Sequence, residues 1–347
     1  MTAHAAAQID EKALAPYLEQ HVEGFRGLRS VTKFSSGQSN PTFRIEADSG
    51  NYVMRAKPPG QLLKSAHQVD REYRVMSALA ETDVPVPKMF HLSDEADNPL
   101  GRQFYIMEFL DGRVLWDPLL PDLSVAERAE TYDQMNKVLA ALHDVNPESV
   151  GLGDFGKPGS YFERQFGRWT KQYRASETET VEDMDALIKW LDENMPEDDG
   201  VVSLVHGDYR LDNVMYHRTE PRIIAVLDWE LSTQGHPFGD LGYQCAYWRL
   251  PNEGSLRGLG NVERGPGTGL PEETAYVEKY CERRGIDFPA NWEFYVAFSF
   301  FRYAAIIQGV YKRGLDGNAS DPEGAIRAGK NVPLIARLAV EGLEANA

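Results

Sequence analysis

The stretch LVHGDYRLDNVMYHRTEPRIIAVLDWE, residues 204–230, sets carboxylates, an Asn and two His at the ends of short apolar runs. Its pieces NVMYH (213–217) and RIIAVLD (222–228) have strand length and RTEP between them is turn material, so the segment reads as a β-hairpin. In an antiparallel hairpin the first residue of one strand lies beside the last residue of its partner. Asn213 and Asp228 are therefore expected at the open end, with Asp208 in the turn leading into it. Oxygen ligands gathered in this way suit Mg²⁺, which binds one or two carboxylates together with substrate phosphates.

The order His206, Asp208, Asn213 is the spacing of a kinase catalytic loop, and Asp228 follows at a distance plausible for the metal-binding Asp. Here the chain resembles the aminoglycoside phosphotransferase-like kinases, which include the choline kinases. HGDYRLDN, then LDWE, then GHPFGDL stand in that family's order. The resemblance implies that Asp208 accepts or aligns the proton of an attacking hydroxyl. It implies that Asn213 and Asp228 hold the metal bridging the ATP phosphates, and that Glu230 contributes through a second metal or a water. His206 reads as a residue that holds the loop by hydrogen bonds, and Asp240 as a buried brace for the loop's backbone amides.

The chain has 347 residues, 42% of them hydrophobic, which suits two lobes or domains better than one ordinary core. A net charge of −17 argues against nucleic acid or an anionic membrane as partner, since both are bound through basic faces. The two cysteines, Cys245 and Cys281, allow neither a disulfide framework nor a zinc cluster, so a cytoplasmic location is expected. The start, MTAHAAAQID, has no basic region followed by an apolar run, and no signal peptide is expected. The most apolar run, FYVAFSFFRYAAIIQGVY (294–311), carries Arg302 in its middle and is expected to be a buried core helix.

Residues 29–57 alternate in strand fashion. SVTKF and TFRIEA flank the turn SSGQSNP, and YVMRAK follows the turn DSGN. A helix is expected over about 65–81, with Val69, Tyr73, Met76 and Leu79 on one face. VPVPK is extended, and QFYIMEFLDG is a further strand. SVAERAETYDQMNKVLAALHDV (124–145) then opens with a capping box, Ser124 with Glu127, and carries Tyr132, Met135, Val138, Leu139 and Leu142 at helical spacing. Gly-rich loops around 254–270 and 313–330 are expected to punctuate the later helices. The fold class is α+β: a β-rich N-terminal nucleotide-binding lobe over 1–111 with a hinge at about 107–112, then a helical C-terminal lobe over 112–347 with the catalytic loop and acceptor site.

Phosphoryl transfer needs charge neutralisation at the phosphates and little covalent chemistry. FSSGQSNPTF (34–43) is the candidate phosphate-covering turn, with Ser35, Ser36, Gly37 and Ser39 offering amide and hydroxyl donors. In YVMRAK both Arg55 and Lys57 share a strand face with Val53. The resemblance aligns Arg55 with the usual Lys, and which of the two reaches the phosphates stays open. Glu72 falls three residues after Val69 and four before Met76, inside the inward stripe, where an acid needs a cation partner. The resemblance makes FYIMEFLDG the hinge, with Met107 behind the adenine and the backbones of Glu108 and Leu110 bonding its edge.

The likeness runs from about residue 30 to about 313 and is strongest to the kinase-like domains fused to acyl-CoA dehydrogenases. SSGQSNPTF, AKPPG with SAHQVDREYRV, DVPVPK and DWELSTQGHPFGDLG carry it. It implies a bilobal protein-kinase-like fold and an ATP- and Mg²⁺-dependent phosphotransferase acting on a small-molecule hydroxyl acceptor. Arg257, Arg264, Arg313, Arg327 and Lys330 are expected to border the acceptor site, favouring an anionic hydroxyacyl-CoA over a polycation. The rival readings are an aminoglycoside or amino-alcohol kinase, a non-catalytic nucleotide-binding relative, and a metallohydrolase using His206, Asp208, Asp212 and His217. The residues carry no code for an oligomeric state.

Overall fold

Alternation decides the first sheet: along TFRIEA every second residue, Phe43, Ile45 and Ala47, is buried. The computed structural model describes residues 9–34, 40–59, 68–95, 97–319 and 321–345. Strands β1 (Leu28–Lys33), β2 (Thr42–Ala47), β3 (Gly50–Ala56), β4 (Met89–Leu92) and β5 (Phe104–Glu108) form a five-stranded antiparallel sheet in the order β1-β2-β3-β5-β4. Helix α1 (Glu11–His21) packs Leu14 and Leu18, with Val22 and Phe25 after it, on Phe43, Ile45, Met54 and Ile106. Asp10 caps it by accepting from the Lys12 and Ala13 amides. This helix is not among the expected elements, although the Asp10 cap and the Leu14–Leu18 spacing signal it.

Helix α2 (Val69–Leu79) buries Val69, Glu72, Val75, Met76 and Leu79. Glu72 is thus on the inward face as expected, while Tyr73 is only half-buried and Val75 takes an inward place instead. The short strand β6 (Gly112–Val114) lies in a second sheet with the expected hairpin strands β8 (Val214–His217) and β9 (Ile223–Val226), in the order β6-β8-β9. One compact unit comprises Met1–Arg113 with Met215–Arg218 and Ile224–Leu231. The other comprises Val114–Val214, Thr219–Ile223 and Ser232–Ala347. Asp228 and Glu230 therefore group with the first unit, although the chain runs through the second before and after them.

The second unit is mainly helical. Helix α3 (Val125–Asp144) has the expected capping box, Ser124 and Glu127 each bonding the other's backbone N–H, and it buries Tyr132, Met135, Val138, Leu139 and Leu142. Helices α4 (Tyr161–Ser176) and α5 (Glu182–Glu193) precede strand β7 (Ser203–Val205), which pairs antiparallel with β10 (Thr233–Gly235). Helix α6 (Phe238–Ala246), the small hairpin β11 (Asn252–Glu253) and β12 (Leu256–Arg257), and helix α7 (Glu273–Arg284) follow. Helices α8 (Trp292–Leu315), α9 (Pro322–Gly329) and α10 (Val332–Ala345) complete the unit. As expected, α8 is a core helix that buries Phe294, Phe298, Phe301 and Ala305. No helix among the described residues is long and apolar enough to cross a membrane.

The expected Gly-rich loop over 313–330 is in large part helix. Helix α8 continues to Leu315, and α9 starts at Pro322 behind Asp321, whose carboxylate accepts from the Gly324 amide. Two of the glycines there, Gly314 and Gly329, serve close helix packing. A Cβ on Gly329 would stand 2.2 Å from Cγ of Tyr311, and one on Gly314 would stand 2.9 Å from Cβ of Ala325. Gly167, by contrast, sits on exposed α4 with nothing within 4 Å of a built Cβ. Gly329→Ala is expected to destabilise by about 1–3 kcal/mol through overpacking. Gly167→Ala is expected to stabilise by about 0.5–1 kcal/mol. Thermal unfolding of the two variants checks both, and equal shifts would contradict the packing account.

Candidate active site

In the second unit, β7 ends at Val205 and the chain turns through His206–Arg210 into a short 3-10 turn, Leu211–Asn213. The turn is fixed from beneath by Asp240, which is fully buried in the first turn of α6. Its Oδ2 accepts from the His206 amide at 2.6 Å and its Oδ1 from the Gly207 amide at 2.8 Å. His143 Nε2 lies 3.3 Å from Oδ2, and His143 Nδ1 is 2.6 Å from the Tyr280 hydroxyl. A neutral His143 that donates from Nε2 and accepts at Nδ1 satisfies both partners. Burial alone would raise the Asp240 carboxyl, but the hydrogen bonds from His143 and the His206 amide hold it below the usual carboxylate range. The Gly207 carbonyl accepts from Arg302, and His206 Nδ1 accepts from the Asp208 amide at 3.2 Å. Both His206 and Asp240 thus hold the loop, as the sequence reading has it.

Asp208 presents a carboxylate with both oxygens engaged. Asn213 Nδ2 donates to Oδ2 at 2.8 Å and to the Asp208 carbonyl at 2.9 Å, while the Tyr243 hydroxyl donates to Oδ1 at 2.7 Å. Tyr243 is not among the expected site residues. Its signal is helical spacing, three residues after Asp240 on the same face of α6. Asp212 forms a forked pair with Arg210, whose third nitrogen reaches the Tyr247 hydroxyl at 3.1 Å. That pairing, with His206 fully buried, counts against the metallohydrolase reading.

Directly beyond this loop is a cavity of about 320 Å³ whose lining includes Trp116, Arg210, Asp212, Tyr247, Arg257 and Tyr303. Trp116 is 57% exposed, an uncommon position for so large an apolar ring. Of the five late cations, Arg257 is in the lining. Arg264 is instead turned to the Leu259 carbonyl and Glu272. Arg313 and Arg327 belong to α8 and α9, and Lys330 caps α9, because the segment taken for a loop is helical.

In the first unit, Glu72 is 1% exposed and gathers donors. Arg55 Nε is 3.0 Å away, Asn40 Nδ2 2.8 Å and the Tyr105 hydroxyl 3.2 Å. Arg55 also reaches Asp228 at 2.6 Å and lies 3.9 Å from Glu230. Burial alone would lower the Arg55 pKa, but Glu72, Asp228 and Glu230 outweigh it and keep the guanidinium charged. Burial pushes the Glu72 carboxyl up, to about 7, against the pull of Arg55 and with the push of Asp228 and Glu230. Asn40 and Tyr105 carry no charge, and periodicity alone does not reveal them.

Asp228 has φ 62, in the left-handed region, where a non-glycine residue is uncommon and costs energy. Trp229 is fully buried behind it, its indole N–H donating to the Val226 carbonyl at 3.0 Å. Asp228 and Glu230 stay 35% and 28% exposed, hard oxygen donors open to a cation. Among the described residues no three His, Cys, Asp or Glu form a metal cage. Lys57 is not brought to Glu72; its amide donates to the Gln103 carbonyl at 3.0 Å and so continues the β3–β5 ladder, but its Nζ lies 3.0 Å from Glu95. Met107, Glu108 and Leu110 are half-buried along and just after β5, the Glu108 amide donating to the Lys88 carbonyl at 2.8 Å. Ser35, Ser36, Gly37 and Ser39 lie outside the described residues.

Burial lowers the His143 pKa, opposed by Asp240, so the folded protein takes up a proton there only below the ordinary value. An unfolded His binds its proton below about 6.5. Stability is therefore expected to fall as pH drops through that value, because the unfolded state then binds more protons. Chemical denaturation between pH 7 and pH 5 (about that range brackets the ordinary value) checks this, and His143→Gln is expected to flatten the slope.

Residues 30–276 match the family model described as the phosphotransferase enzyme family. Acyl-CoA dehydrogenase family member 11 of Rattus norvegicus is 43% identical over 337 residues, a match covering 94% of this chain and 42% of the rat protein. The chain thus spans under half the length of that relative. A crystal structure of a "putative aminoglycoside phosphotransferase" from Ralstonia eutropha JMP134 is similar at TM-score 0.88 and 50% identity, covering 97% of this chain and 99% of that one. Spectinomycin phosphotransferase in complex with ADP and spectinomycin shares the fold at TM-score 0.62 and 13% identity, over 95% and 98% of the two chains. The α+β class and the likeness to acyl-CoA dehydrogenase family proteins are both as the residues led one to expect. With most of its length matched, the chain belongs to the phosphotransferase enzyme family.

Proposed function

We propose that the protein transfers the γ-phosphoryl group of ATP, with Mg²⁺, to a hydroxyl of a small molecule, and that this acceptor is a hydroxyacyl-CoA or a similar anionic hydroxy compound. The observation that carries the reading is the Asp208 carboxylate, held by Asn213 and Tyr243 on a loop whose amides are tied to buried Asp240. A carboxylate so fixed is suited to take the proton of an incoming hydroxyl. The hydroxyl oxygen forms a bond to the γ-phosphorus while the bond from that phosphorus to the β–γ bridging oxygen breaks. ADP leaves with the electron pair, and the hydroxyl proton goes to Asp208.

Arg55, anchored by Glu72, is the strand cation for the phosphates, and Arg suits bidentate phosphate contact. When bound, Mg²⁺ neutralises phosphate charge. Asp228 and Glu230 are the carboxylates that would hold it. The resemblance gives Asn213 as a further oxygen ligand, its amide nitrogen donating to Asp208. The resemblance leaves Ser35, Ser36, Gly37 and Ser39 to the phosphates, and Met107, Glu108 and Leu110 to the adenine.

The cavity lined by Arg210, Leu211 and Asp212 of this loop favours an anionic acceptor with an apolar part. Its walls include Trp116, Tyr247 and Tyr303, its one acid among these, Asp212, is paired with Arg210, and Arg257 adds a further cation. A polyamine would meet net positive charge there. The sequence match to a protein named for acyl-CoA chemistry points the same way.

Asp208→Asn is expected to lower turnover by about 10²-fold or more while leaving nucleotide binding intact, since general-base removal has that scale. Mass detection of phosphorylated product and calorimetric ATP binding measure the two quantities, and near wild-type turnover would contradict the assignment. Arg55→Ala is expected to weaken ATP binding or turnover far more than Lys57→Ala, and the reverse order would move the phosphate contact to Lys57. In a screen with ATP and Mg²⁺, hydroxyacyl-CoA compounds are expected to be phosphorylated and kanamycin-type compounds not. Efficient kanamycin phosphorylation with none of hydroxyacyl-CoA would overturn the acceptor assignment.

A further inference from the structure

We infer that Tyr243 is a positioning residue for the phosphoryl transfer, its hydroxyl fixing the plane in which the Asp208 carboxylate meets the acceptor; this rests on the function proposed above. The Asn213 amide secures only Oδ2 of Asp208. With that bond alone the carboxylate can turn about its Cβ–Cγ axis, a broad torsion with little intrinsic preference. The Tyr243 hydroxyl on Oδ1, at 2.7 Å, removes the freedom by holding the second oxygen.

Helix α6 therefore holds the loop twice from one face. Asp240 fixes its backbone through the His206 and Gly207 amides, and Tyr243 fixes the side chain that does the chemistry. Tyr243 is itself 5% exposed and well confined. The guanidinium of Arg302, which also donates to the Gly207 carbonyl, stands 5.2 Å from its ring centre. One turn along α6, the Tyr247 hydroxyl lies 3.5 Å from that of Tyr243 and 3.1 Å from Arg210. Asp208, Tyr247, Arg210 and Arg302 are thus the polar and charged groups facing this phenol. Burial first, and then the Asp208 charge, keeps it protonated and able to donate. Misplacement of a reacting group by 1 Å can cost about 10²-fold in rate, so one neutral hydroxyl off the reaction path can matter.

The test measures ATP turnover with 3-hydroxybutyryl-CoA as acceptor, and with water through basal ATP hydrolysis. Tyr243→Phe is expected to lower kcat about tenfold, the scale of one hydrogen bond to a charged group. KM for ATP and for the acceptor is expected to stay within about twofold, with the thermal midpoint near wild type. Replacing Tyr243 by 3-fluorotyrosine, which keeps the donor on a ring of nearly the same size, is expected to restore kcat. Unchanged kcat in Tyr243→Phe overturns the inference. So does a loss that tracks the thermal midpoint and is not restored by 3-fluorotyrosine, since that is a packing role. A wild-type protein that turns over ATP with neither acceptor overturns the proposed function, and this inference with it.

Discussion

The structure of the candidate catalytic loop depends on one buried carboxylate. Asp240 is wholly removed from water, and its two oxygens receive the His206 and Gly207 amides. A charge at that depth persists only because its lone pairs are filled, here by those amides and by His143. The cost of burying it yields a turn that cannot slide, since the amides at its start are tied to the first turn of α6. Arg302 closes the turn from the other side by donating to the Gly207 carbonyl, while its charge lies over the rings of Trp169 and Tyr243. Asp208 follows this fixed point by one residue.

The first unit solves a related problem with a cation. Arg55 on β3 is shared by Glu72, Asp228 and Glu230, and the most deeply buried of the three, Glu72, is further satisfied by Asn40 and Tyr105. Buried ion pairs are seldom net stabilising, because desolvation offsets the attraction. The return is geometric: a guanidinium held from behind by α2 keeps one orientation. The left-handed backbone at Asp228 is a second cost of the same kind, a strained residue kept where a side chain must be aimed.

The motif residues were legible in the sequence because chemistry restricts their type and spacing. His206 and Asp240 brace the loop by hydrogen bonds, as expected of them, and Glu72 sits on the face its periodicity assigns. The supporting neutral groups were not legible. Asn40, Tyr105 and Tyr243 act through single hydrogen bonds that only the tertiary fold creates. A shared strand face left Arg55 and Lys57 undecided, and only their side-chain partners set them apart, Glu72 for Arg55 and Glu95 for Lys57. Glycine had two meanings: Gly254, between β11 and β12, takes a left-handed backbone in open space, whereas Gly314 and Gly329 let helices approach closely. Composition cannot separate these, because the contact that decides lies in another element.

The central claim is a single direct transfer in which Asp208 serves as proton acceptor and never carries the phosphoryl group. The stereochemical course at the γ-phosphorus tests it most directly. ATP made chiral at that phosphorus with oxygen isotopes is turned over, and the configuration of the phosphorylated acceptor is read by ³¹P NMR. The account predicts inversion, the outcome of one in-line displacement. Retention would require two successive displacements through a phosphorylated enzyme, and would contradict it.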